Sequence, residues 1–210
     1  MVEAEIQTQK NEVADRKLCL DFINTLDERS SDLPRELLKS YSDLVAWSQQ
    51  KQILTDEEAQ SLLEKQARHP AGAIKVLERA VALREAMYRI FSSVAEDSVP
   101  TDNDLALLNR AFIEAMAQTR LVLNSDTFVR EWSGKEDALD RMLWPVVRSA
   151  VNLLTSEHLH TVRVCASDDC KWLFLDTSKN GSRRWCDMKS CGNRAKARRH
   201  YSQKKQTSEA

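Results

Sequence analysis

Apolar residues recur every three to four positions through most of this chain, the spacing of helices with one face turned inward. Cys19, Phe22, Ile23 and Leu26 form one such stripe and predict a helix over 15–26. A shorter helix is predicted over 42–52 from Leu44, Val45 and Trp47. Thr55 and Glu58 make a Thr-x-x-Glu capping box ahead of Leu62 and Leu63, which places the next helix start. From 71 to 96 two apolar rows run side by side, Ile74/Leu77/Val81/Tyr88/Phe91 and Val76/Ala80/Leu83/Met87/Ile90/Val94. A helix apolar over most of its girth belongs at the centre of a bundle. Thr101 and Asp104 cap another helix over 101–118, with Leu105, Leu108, Phe112 and Met116 inward.

The period then changes. Residues 120–124 (RLVLN) and 127–132 (TFVREW) are short β-prone runs around a turn-like Asn-Ser-Asp, and read as a hairpin. Helical spacing returns over 136–157 through Leu139, Met142, Leu143, Val146, Ala150 and Leu153, with Pro145 kinking the helix or marking its restart. Only 4 Gly and 4 Pro occur in 210 residues, which suits long helices and short connections. The short junction near 158–162 predicts that the parts on either side pack together.

Two positions within the apolar rows carry a thiol or a charge. Cys19 lies within its stripe and reads as a buried, inert thiol. Arg84 sits between Val81 and Tyr88, where a charge must be paired or must line a cavity. A buried salt bridge, a snorkelling side chain and an anion-binding group all fit that position.

Charge divides the chain in two. Residues 160–210 carry 12 Lys and Arg against 5 Asp and Glu, a net of +7, while the remainder is net −8. Such a split predicts two domains with different partners, 1–159 and 160–210. The first ten residues are polar and acidic, unlike a signal peptide, and no run approaches the roughly 20 apolar residues of a membrane span. A cytoplasmic protein without membrane contact is the expectation.

Four of the five cysteines fall within 27 residues, as Cys165-x4-Cys170 and Cys186-x4-Cys191 separated by fifteen residues. Two such pairs can converge on the corners of a tetrahedron, and soft thiolates without carboxylates select zinc. With all four positions filled by protein the zinc is structural. Replacement of one sulfur by His158, His160 or His200 is the alternative ligand set; redox cycling fits less well, because it favours C-x-x-C. Between the pairs, an apolar run from Lys171, an Asn180-Gly181 turn and a return through Arg183-Arg184-Trp185 predict a β-hairpin. Helix-prone residues follow Cys191, which gives a treble-clef-like finger. The fold expected is mainly α with a small β component: a helical N-terminal domain with one short hairpin, then the finger.

On a helix after Cys191, Arg194, Arg198, Tyr201 and Lys205 share a face, with Asn193, Lys196 and Arg199 beside them; Arg183 and Arg184 extend the patch from the hairpin. Cations and an aromatic in that order suit the phosphates of double-stranded DNA. Part of the charge also offsets the −2 of a zinc tetrathiolate, so a solvated basic face or a protein-binding surface remain readings of the same residues.

Residues 186–196, with C-G-N-R at 191–194, resemble the signature of the CGNR zinc-finger family, and Val164-Cys165, Cys170 and Leu173–Asp176 fit the same module. Upstream, Leu20-Asp21-Phe22-Ile23-Asn24-Thr25, Leu83-Arg84-Glu85 and Leu153-Leu154 resemble the ABATE domain that accompanies it. The resemblance spans about residues 15–203. It implies a bacterial stress-induced transcription regulator with a DNA-directed finger. Asp21, Asn24, Thr25 and Arg84 are polar groups on apolar elements and could line a pocket for a small, anionic effector; pairing of Asp21 with Arg84 is the structural alternative. The N-terminal domain is then a sensing or homodimerising unit. A protein–protein adaptor whose finger docks an acidic partner is the second reading. The chain has no Gly-rich phosphate loop, nucleophile elbow or metalloprotease motif, so catalysis is not expected.

Overall fold

The computed structural model describes residues 17–133, 138–198 and 204. The chain opens with a helix at 17–23 (α1), then two short antiparallel strands, Leu26–Asp27 (β1) and Arg35–Glu36 (β2). Four helices follow: Tyr41–Gln50 (α2), Asp56–Arg68 (α3), Pro70–Ala95 (α4) and Asp102–Met116 (α5). A hairpin of Thr119–Asn124 (β3) and Thr127–Trp132 (β4) leads to helix Leu143–Leu154 (α6). After a 3-10 turn come Val162–Val164 (β5), Leu173–Leu175 (β6), a π-helical turn over Met188–Gly192 and helical residues 193–198 (α7). The fold is mainly α with a small β component.

Local chemistry sets the helix starts. Ser40 Oγ accepts from the Asp43 amide and Asp43 reaches back to the Ser40 amide; Thr55 and Glu58 do the same for α3. Thr101 caps α5, but the Asp104 carboxylate turns instead to Thr101 Oγ1 and to Arg89. Each such cap contributes about 1 kcal/mol. Pro70 begins α4, where its missing N–H has no intrahelical partner to lose.

α4 lies at the centre of the bundle, burying Ala80, Leu83, Met87, Ile90 and Phe91 against neighbouring helices. Its first turns are less enclosed, and Ile74 is 57% exposed. Cys19 is fully buried, and its amide donates to Ser149 Oγ at 2.9 Å, which ties α1 to α6. Asn24 pairs with the finger: its Nδ2 donates to Leu173 O at 2.8 Å and its Oδ1 accepts from Leu173 N at 3.0 Å. That side chain therefore extends the β5–β6 ladder and locks the end of α1 to it.

Three expectations need correction. The last long helix starts at Leu143 rather than 136; residues 139–142 form turns, and 134–137 lie outside the described residues. Pro145 thus falls in the first turn, where it costs no backbone hydrogen bond. α1 ends at 23, and Leu26 joins β1. The third correction concerns the cysteine region. β6 pairs with β5, upstream of the first cysteines, in the register Val162↔Leu175, Arg163↔Phe174 and Val164↔Leu173. The 183–185 return is not a strand. Asp176 captures this loop, accepting from Ser178 N, Ser178 Oγ and Arg183 N, while Gly181 turns it with φ of +58°.

The β3–β4 hairpin forms as expected, closed by Ser125 and Asp126 with Ser125 at φ 53°.

Candidate metal centre and its basic surroundings

The β5–β6 connection forms the first knuckle. Cys165 N donates to Trp172 O and Cys170 N to Ser167 O, which folds Cys165 and Cys170 over one point. The second pair is held by the π-helical turn, whose start is capped by Asp187 accepting from Lys189 N and Ser190 N. All four Sγ atoms lie within 4.8 Å of one another. Cys170–Cys186 and Cys186–Cys191 are each 3.7 Å apart. A tetrahedron of zinc–sulfur bonds near 2.3 Å requires sulfur pairs about 3.8 Å apart, so the quartet fits one Zn2+ with no position left for water. His158 and His160 are not in this group, and His200 lies outside the described residues.

The electrostatics also call for a cation. Hydrogen bonds from Cys170 and Cys186 hold the Cys165 thiol down at about 2, while its hydrogen bond to Cys165 pushes Cys170 up to about 12. Cys186 is driven upward by the same neighbours. Four sulfurs this close cannot all be ionised unless a dication sits among them. Cys165, Cys170 and Cys191 are buried and Cys186 is half-buried. Phe174 completes the small core, with Trp172 and Trp185 against it.

The cations expected to face nucleic acid are not equivalent. Arg183 donates from Nε to Trp185 O at 2.9 Å and from Nη2 to Cys186 O, and its guanidinium lies over Phe174. Arg194 approaches the Cys191 sulfur at 3.9 Å and Glu28 at 3.6 Å. Arg198 pairs with Asp168 at 3.4 Å and with Asp169. The Arg194–Arg198 face of α7 is thus turned onto carboxylates and the thiolate cluster. Arg184, Asn193 and Lys196 are exposed. Among the described residues neither Arg184 nor Lys196 forms an ion pair, and Arg184 rests on the Trp185 ring. Arg199, Tyr201 and Lys205 lie outside the described residues.

The four polar residues of the N-terminal part are not gathered around one cavity. Arg84 is 2% exposed, and its guanidinium meets Glu36 through two 2.7 Å bonds, Glu85 at 2.9 Å and Thr25 Oγ1 at 3.2 Å. Burial raises the Glu36 carboxyl, but Arg84 together with the Leu38 and Leu37 amides holds it below the ordinary carboxylate range. Thr25 also donates to Phe22 O. Asp21 pairs with Lys51 at 2.7 Å rather than with Arg84. Asp21 and Asn24 do line a cavity of about 330 Å3 with Trp172, Arg183 and Cys186, where α1 meets the finger. Glu36 was missed at the sequence level because its role depends on β1–β2 pairing, which no local pattern announced. Asp168-Asp169 was visible as an acidic pair inside a basic segment.

No helix among the described residues is long and apolar enough to cross a membrane. The family described as "putative stress-induced transcription regulator" (ABATE) matches residues 16–157. The CGNR zinc finger matches residues 161–204. No curated protein matches the chain.

Proposed function

We propose a role on the premise that the chain belongs to the ABATE family and carries a CGNR zinc finger: it is a zinc-containing, stress-responsive transcription regulator that binds double-stranded DNA. Residues 160–210 act as the DNA-directed finger, and residues 1–159 as a unit that senses a signal or holds two copies together. The observation that supports DNA contact is the division among the finger's cations. Arg183, Arg194 and Arg198 neutralise acceptors within the chain, whereas Arg184 and Lys196 stand exposed beside Asn193 on a segment whose net charge is positive. Arg199, Tyr201 and Lys205, which helical spacing in the sequence assigns to the same DNA contact, lie outside the described residues.

The experiment is a gel shift on random duplex DNA at increasing salt, with zinc content measured in parallel. Phosphate contacts release counterions, so affinity should fall steeply as salt rises. Arg184→Ala with Lys196→Ala should weaken binding at constant zinc content. Salt-insensitive or undetectable DNA binding, together with retention of an acidic protein partner, would favour the adaptor reading instead.

A further inference from the structure

Between α4, α5 and α6 lies a cavity of about 170 Å3 that none of the preceding roles uses. It exists because the helices meet through small side chains there: Ala82 from α4, and Ala111 and Ala115 from α5. Its floor is made by Leu83, Leu143, Trp144 and Val147, all buried. The lining is mainly apolar, with four charged groups on the same cavity: Arg79, Arg110, Glu114 and Asp140.

Those four charges are unequally satisfied. Arg79 bridges Glu114 at 3.4 Å and Asp140, so both carboxylates already hold a cation. Arg110 is exposed and, among the described residues, forms no ion pair. An incoming cation would have to displace Arg79 from its carboxylates. An incoming anion meets a guanidinium whose planar fork matches a carboxylate. Size narrows the class further. An apolar cavity of about 150 Å3 in another protein holds benzene, so one ring or a short branched chain fills this one.

We propose that this cavity binds a small carboxylic acid bearing one ring or a short branched chain, with its apolar end on Leu83 and Trp144 and its carboxylate on Arg110. Apolar clefts between bundle helices with a few placed polar groups are the common form of such sites. The site stands independently of whether the finger binds DNA.

Isothermal titration of the zinc-loaded full chain with benzoate tests it, with acetate and toluene as the anion-only and ring-only arms. Benzoate should bind one per chain and acetate should give no heat. Arg110→Gln lies on the surface and should weaken benzoate about tenfold, the loss of one charged hydrogen bond, while leaving toluene binding unchanged. Ala111→Phe should fill the cavity and abolish both, at normal zinc content. Absence of benzoate binding by the wild type, or unaltered affinity in Arg110→Gln, would overturn the proposal. Should Ala111→Phe fail to fold, the Arg110→Gln result decides alone.

Discussion

The helical body and the cysteine segment reach order by different physical routes. In the body, a continuous set of buried apolar side chains runs from Leu20 and Phe22 through Leu83, Met87 and Phe91 to Val146 and Leu153. Among the described residues its fully buried cation, Arg84, is paired on three sides. Among the described residues, the cysteine segment's own apolar cluster has as buried members Cys165, Cys170, Phe174 and Cys191, with two half-buried tryptophans beside them, while its buried Leu173 packs into the body's core. Hydrophobic burial can hold the first together; it cannot hold the second, where zinc–sulfur bonds must supply most of the folding free energy. The lesson is that the two parts should fail separately.

The largest effect should come from the metal. Zinc binding contributes about 10–16 kcal/mol in isolated finger peptides. Cys165→Ser or Cys191→Ser should therefore lose zinc and open the chain between 165 and 198 to limited proteolysis. Far-UV circular dichroism should show the body's helices largely retained. Simultaneous collapse of both parts would show that they fold as one unit.

Arg84 tests the body in the opposite sense. Arg84→Met strands the Glu36 carboxylate, while Glu85 keeps Arg29 at 2.5 Å; removal of one partner of a buried ion pair costs about 3 kcal/mol. Thermal unfolding of the body should shift down sharply with zinc content unchanged. Adding Glu36→Leu should recover part of the loss, because it removes the uncompensated charge. Asn24 is the stitch between the parts. Asn24→Ala deletes two hydrogen bonds to the Leu173 backbone and should cost about 1–3 kcal/mol. Hydrogen exchange should rise first at the Leu173 amide, whereas Asn24→Asp should preserve only the acceptor half. Gly192→Ala should do least. The added Cβ falls 2.8 Å from Met188 Sδ, the end of a flexible, partly exposed side chain that can swing aside. Less than about 1 kcal/mol is expected by thermal melt.

Legibility followed the distance over which each feature is decided. Capping boxes at Ser40 and Thr55 span four residues, and Thr55–Glu58 was readable without any tertiary information. The β3–β4 hairpin and the cysteine spacing are equally local. Features settled by distant pairing were not readable. Arg84 finds Glu36 across 48 residues, by way of two-residue strands too short to leave a pattern. The Asn180-Gly181 turn suggested a local hairpin, but β5 took the pairing edge of β6 and Asp176 held the loop aside. On α7, helical spacing put Arg194 and Arg198 on one face correctly. Spacing could not reveal that Asp168, Asp169 and Glu28 wait on the other side of that face.

Four sulfurs, and nothing else, should hold the one zinc ion that organises the C-terminal segment. X-ray absorption at the zinc edge of the purified full chain measures this directly. One zinc per chain with four sulfur neighbours near 2.3 Å is the predicted spectrum. A first shell containing nitrogen or oxygen, or a folded C-terminal segment in protein that carries no zinc, would contradict it.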